Sequence, residues 1–162
     1  MRNIITALIF TAALSLIACT KGGTLTRPES NQYSIMSTAS SKQLVPAIDT
    51  TSTGTFTGFY DDQLNILTFT ITWSDLWRAN KDTITSVNFY GPASTKENGT
   101  LVRSLPFISN NNQASVNLGL AGLNGFKESE KKNLLAGTYY FTINTKKYPN
   151  GIIRGQLTAT KP

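Results

Sequence analysis

The sequence predicts an all-β fold, an antiparallel β-sandwich of Greek-key type with one short helix, and three observations lead there. The clearest is Leu64–Trp73, where Leu67, Phe69, Ile71 and Trp73 fall on one face and Thr68, Thr70 and Thr72 on the other, the period-two pattern of a half-buried strand. Further short runs rich in β-branched and aromatic residues follow at similar intervals, separated by turn residues. Only one segment carries a helical pattern.

Taken in order, strands are expected at Tyr33–Thr38, Gly54–Tyr60, Leu64–Trp73, Ile84–Tyr90, Leu101–Phe107, Ala114–Leu118, Tyr139–Thr145 and Ile152–Ala159. The second and third are joined through Asp61-Asp62-Gln63 as a hairpin loop. The last two are joined by Lys146–Gly151, where Pro149 sets a turn and Gly151 supplies a left-handed residue. The helix is expected over Lys127–Ala136, with Leu134 and Leu135 beside Phe126 and Gly137 as the stop. Trp73 continues the inward alternation and belongs to the core. Glu128, Glu130, Lys127, Lys131 and Lys132 read as a solvated helix face.

The chain's 162 residues are enough for one domain plus an appendage. Hydrophobic residues make up 40% and charged residues 15%, which excludes a wholly disordered chain. The single cysteine excludes an intramolecular disulfide and any Cys-x-x-Cys site. The absence of histidine removes the usual general base, the Ser-His and Cys-His nucleophile pairs and the commonest zinc and copper ligand. A net charge of +6 is spread over scattered lysines, without the basic stripe and module that nucleic-acid binding needs.

The N-terminus reads as an address. Arg2 precedes an uncharged run from Ile4 to Ala18, the anatomy of a secretory signal and short for a permanent membrane span. The run ends in Leu16-Ile17-Ala18-Cys19, which resembles the bacterial lipobox, where cleavage leaves an acylated cysteine. Residues 1–18 are thus expected to be a lipoprotein signal peptide and residues 19–32 a polar tether; residues 33–162 would form the domain. Acyl chains on Cys19 would anchor the protein in membrane lipid. Thr20-Lys21-Gly22-Gly23 carries no acidic residue, which favours the outer membrane of a bacterial envelope.

Three separated stretches resemble the CHRD (chordin-type) domain. They are Lys42–Pro46 with Gly54–Leu67; Asn88-Phe89-Tyr90-Gly91-Pro92-Ala93, similar to the family's His-Ile-His-Gly-Pro-Ala; and Tyr140–Thr145 with Pro149–Leu157, similar to Tyr-Val-Asn-Val-His-Thr and a closing Gly-Glu-Ile-Arg-Gly-Gln-Leu. The resemblance implies an immunoglobulin-like or copper/zinc superoxide dismutase-like sandwich. It also marks what is missing. Asn88, Tyr90 and Asn144 stand at the family's histidine positions, and Ile152 stands where the closing motif has glutamate. Asparagine and tyrosine are poor ligands for zinc or copper, so no metal and no other cofactor are expected.

Asp61-Asp62 lacks the spacing of a calcium loop and reads as a turn. Arg154 is expected to act as a structural clamp, hydrogen-bonded to loop carbonyls. Trp77, Tyr90 and Tyr148 are the candidate contacts for a partner, an envelope or extracellular protein or a glycan. The function expected is therefore a non-catalytic binding or display module, with no catalytic residue. A structural subunit of an outer-membrane assembly and a metal-dependent dismutase-like enzyme are the competing classes.

Overall fold

The structure, a computed structural model, describes residues 31–74, 76, 82–109, 115–117 and 121–161. Among these residues ten strands make one curled antiparallel sheet: β1 (Gln32–Ser40), β2 (Thr53–Asp61), β3 (Ile66–Ser74), β4 (Ile84–Tyr90), β5 (Leu101–Ser109), β6 (Ser115–Asn117), β7 (Ala121–Asn124), β8 (Tyr140–Thr145), β9 (Ile153–Gln156) and β10 (Thr158–Thr160). A 3-10 turn, Ser41–Gln43, follows β1, and one helix, α1 (Glu128–Leu135), precedes β8. The strand order is β5-β4-β8-β9-β1-β2-β3-β6, with β10 also on β1 and β7 also on β3.

The sheet folds over its own apolar face. Phe56 of β2 stacks on Phe69 of β3 at 4.9 Å, then meets Phe89 of β4 at 6.2 Å and Phe141 of β8 at 5.5 Å. Strands far apart in the sheet order therefore touch through their rings, which makes two layers out of one continuous sheet. Leu67, Phe69, Ile71 and Trp73 all point into this core, as the alternation predicts, while Thr68 and Thr72 stay exposed. Gly155 of β9 leaves room for side chains of the strands on either side of it: a Cβ there would lie 2.5 Å from Ser37 Oγ of β1 and 2.7 Å from the Phe141 ring of β8.

Several boundaries differ from the sequence expectation for physical reasons. The expected strand Ile152–Ala159 is interrupted at Leu157: β9 pairs with β8 on one side, and β9 and β10 both run along β1 in one register on the other. Between them Leu157 is buried and its N–H bonds Tyr139 O at 2.8 Å. β7 was not foreseen, because Ala-Gly-Leu-Asn has neither alternation nor strand-forming residues; its pairing with Ile66–Phe69 of β3 supplies what propensity does not. The β2–β3 loop is Asp62–Asn65, one residue longer than expected and shifted along the chain. Asp61 Oδ1 closes it by accepting from the Gln63 and Leu64 amides. β1 opens at Gln32, a residue assigned to the tether; the rest of the tether up to residue 30, the signal segment and Cys19 lie outside the described residues.

The helix falls where expected, capped by Ala136 and followed by Gly137 at φ +72°. Its charged face is not simply solvated, which corrects that reading. Glu130 takes a two-pronged bond from Arg103 of β5 at 2.9 and 3.2 Å and accepts the Lys127 amide. Lys131 pairs with Asp62 of the β2–β3 turn. These contacts tie α1 to β5 and to the β2–β3 turn, adding to its short apolar stripe centred on Leu134.

The Arg103 guanidinium holds the Glu130 carboxyl below its ordinary value of 4.5, with the Lys127 amide adding to it. A lowered native pKa means that the unfolded chain binds the proton more readily. The stabilisation is therefore complete above the unfolded-state value and is lost as pH falls through the native one. Glu130→Gln should cost about 1 kcal/mol at neutral pH and almost nothing at about pH 3, checked by urea midpoints at both.

Candidate functional site

β8 is buried along its whole length, on both faces. Phe141 and Ile143 enter the core. Tyr140, Thr142 and Asn144 face the other way, where a simple sandwich would meet water, and are covered instead. Three segments provide the cover: 41–50, 91–100 and 146–151.

Register assembles the covered face. Asn88 and Tyr90 of β4 lie opposite Thr142 and Tyr140 of β8, which in turn lie opposite Arg154 and Gln156 of β9. Because opposed residues share a face, the three positions where the family resemblance implies histidine belong to this one surface. Here Asn88 and Tyr90 bond each other, and Asn144 bonds other neighbours. Ser104 Oγ donates to Asn88 Oδ1 at 2.7 Å, and Asn88 Nδ2 donates to the Tyr90 hydroxyl at 3.2 Å. Thr142 Oγ1 donates to Asn144 Oδ1 at 2.6 Å, and Asn144 Nδ2 donates to Pro149 O at 2.6 Å. This donor set does not fit a zinc or copper ion: it offers no imidazole or thiolate, and its amide oxygens already accept neighbouring hydroxyls. Among the described residues no cluster of three or more metal-ligating side chains forms.

Arg154 organises the cover. It is 1% exposed, yet no carboxylate among the described residues pairs with it. Nη1 donates to Glu97 O at 2.8 Å and Nη2 to Ser94 O at 2.7 Å, pinning the 91–100 segment to β9. Gln156 Nε2 adds bonds to Ala93 O at 3.1 Å and Gly137 O at 2.9 Å. The guanidinium also lies 3.6 Å from the centre of the Tyr140 ring, and Tyr90 stacks on Tyr140 at 5.2 Å and 12°. The result is a row of flat groups, Tyr90–Tyr140–Arg154, running across three neighbouring strands. Burial pulls the arginine pKa below its ordinary value, which the Tyr140 hydroxyl partly opposes. Ile152, at the place of the motif's glutamate, is fully buried in the core and offers the arginine no charge.

The other two segments are fastened to the same frame. Asn98 Nδ2 donates to Val45 O at 2.7 Å, and the Gly99 amide donates to the Tyr140 hydroxyl at 3.1 Å. Buried Asp82 accepts the Lys147 amide with both carboxylate oxygens at 3.1 Å. Gly151, at φ +114°, returns the chain into β9 by bonding Tyr148 O at 3.1 Å, the hairpin geometry read from the sequence.

Between the segments lies a groove of about 510 Å³. Leu44, Pro46 and Ile48 line one side; Lys147, Tyr148 and Pro149 line the other; Tyr90, Tyr140, Thr142 and Arg154 also face it. Among the described residues no aspartate or glutamate lines it. Its volume is in the range of pockets that hold small ligands. A second hollow of about 480 Å³ lies over the threonine-bearing face of β1, β2 and β3 and has no charged lining residue.

The candidate contacts Tyr90 and Tyr148 thus come together in one groove; Asn144 is buried beneath the 146–151 segment, Asn88 is half-buried beside Tyr90, and Trp77 lies outside the described residues. Sequence reasoning missed Tyr140, Gln156, Asp82 and the apolar wall Leu44–Ile48. The signal for Tyr140 and Gln156 was the expected hairpin between these strands; its connection is seven residues, Lys146–Ile152, and its register sets Tyr140 against Gln156 and Thr142 against Arg154.

Comparison with known proteins gives one finding: the CHRD domain family matches residues 35–157, from the middle of β1 to the residue after β9. No curated protein and no solved structure gives a significant match.

Proposed function

Because the chain belongs to the CHRD family, we propose that it is a non-catalytic binding module, held in the bacterial cell envelope by an acylated Cys19 and binding its partner in the groove between segments 41–50, 91–100 and 146–151. One observation carries the binding reading: three segments are fastened by buried side chains around an open, aromatic-lined cavity. A purely structural cover would close over the face, whereas this one leaves Tyr148 and Tyr90 only partly buried at its opening. What supports the anchor is the position of the chain's single cysteine directly after the uncharged run Ile4–Ala18. The absence of an acidic residue from Thr20-Lys21-Gly22-Gly23, directly after it, supports the outer membrane.

The structural-subunit alternative calls for a broad apolar face. The exposed large apolar side chains among the described residues are Met36, Phe59, Leu64 and Leu101. Only Met36 and Phe59 are near neighbours in the β1–β2 register, and threonines surround them, which does not favour that reading.

Membrane fractionation checks the anchor. Wild-type protein should sediment with membrane and enter the detergent phase, and Cys19→Ala should move to the soluble fraction; a Cys19→Ala protein that stays with membrane contradicts lipidation. Retention of solubilised envelope material on immobilised protein checks the groove. Tyr148→Ala should lower retention about tenfold, the effect of losing one well-packed aromatic contact, while Thr57→Ala on the opposite face leaves it unchanged.

A further inference from the structure

We infer that the groove takes an acidic saccharide, a glycan segment carrying carboxylate-bearing sugar rings; this rests on the groove being the binding site and names its ligand class. The charge of the groove is one-sided. Arg154 brings a buried positive charge to its floor with no carboxylate partner among the described residues, and Lys147 adds a second at its rim. The nearest acids are turned to other work. Asp82 accepts the backbone amides of Thr83 and Lys147, Asp49 pairs with Lys42, and the Glu97 carboxylate accepts the Ser94 hydroxyl. A buried cation in low-dielectric surroundings projects its field into the adjoining cleft, so the cleft selects an anion.

The remaining chemistry selects a ring over a peptide. Tyr148 presents a partly buried ring with Lys147 Nζ 5.9 Å from its centre, a platform where the C–H face of a sugar can stack while its carboxylate meets the ammonium. Asn98 and Asn150 line the groove as hydroxyl partners. A peptide would gain most by adding itself as a strand. The groove denies it an edge, because β8 is already paired by β4 on one side and β9 on the other.

The test is calorimetric titration of the full acylated protein in detergent micelles with three probes: a galacturonic acid trisaccharide, the neutral galactose trisaccharide and a tri-glutamate peptide. The acidic sugar should bind, and its affinity should fall with added salt and fall about tenfold in Lys147→Ala, as for one lost charge-assisted bond. Each of the other two probes should bind at least about tenfold more weakly, by the same arithmetic. Equal binding of the neutral sugar overturns the charge argument. Equal binding of the peptide, or an unchanged affinity in Lys147→Ala, overturns the saccharide assignment. If no probe binds while Tyr148→Ala still releases envelope material, the acidic-saccharide inference falls and the groove reading stands.

Discussion

Arg154→Met is expected to destabilise the domain by about 3–5 kcal/mol, the range found when one partner of a buried, hydrogen-bonded charge network is removed. Methionine has similar length and leaves little void, so the loss comes from polar groups. The carbonyls of Ser94 and Glu97 lose charged donors at 2.7 and 2.8 Å, and the stack on Tyr140 loses its cation. Arg154→Lys separates charge from geometry. A lysine keeps the charge but cannot reach two carbonyls with a planar fork, so it should recover less than half of the loss. Urea unfolding gives the energies, and amide exchange gives the place. The Ala93 amide, bonded to Thr138 O, and the Gly99 amide, bonded to the Tyr140 hydroxyl, should lose protection before the amides of β2 and β3 do. Uniform loss across the sheet would mean that Arg154 supports the whole fold rather than the cover.

Phe56→Ala should cost a similar amount, about 3–5 kcal/mol, by a different route. Phe56 is fully buried and touches rings from β3, β4 and β8. Truncation leaves a cavity at the point where the two layers meet, and the rings around it cannot all shift inward while their strands stay paired. Phe56→Leu refills part of the volume and should cost about half as much. In contrast to the arginine variant, exchange should rise together in β2, β4 and β8, because the lost packing is shared by all three. Exposed Phe59, three residues along and on the opposite face at 56% exposure, is the control; Phe59→Ala should change stability by less than about 0.5 kcal/mol.

The two variants mark what the sequence makes legible. Alternation is a local signal, so the inward set Leu67, Phe69, Ile71 and Trp73 and the boundaries of β4 could be read directly. β7 could not, since Ala-Gly-Leu-Asn is held by pairing with β3 and not by its own preference. The break at Leu157 falls where pairing with β8 ends, while β9 and β10 keep one register along β1, and no run of residues announces it. At the site, period two places Asn88 with Tyr90 and Tyr140 with Thr142 and Asn144 on single faces. That the face would be covered was not legible, because the cover depends on bonds between residues 40 to 60 positions apart, such as Arg154 to Ser94 and Asn98 to Val45. An arginine inside an apolar strand was the one local sign of it. The helix charges show the reverse case: a pattern that looks solvated in sequence is paired across space, Glu130 with Arg103 and Lys131 with Asp62.

The account depends on the groove, and not the threonine-bearing face, being where a partner sits. Photo-crosslinking in intact cells compares the two most directly, with a photoreactive residue placed at Asn150 beside the groove or at Thr57 on the opposite face. Asn150 should give a discrete adduct that Tyr148→Ala abolishes, and Thr57 should give none. An adduct from Thr57 with none from Asn150 would contradict the account and move the binding surface to the other layer of the sheet.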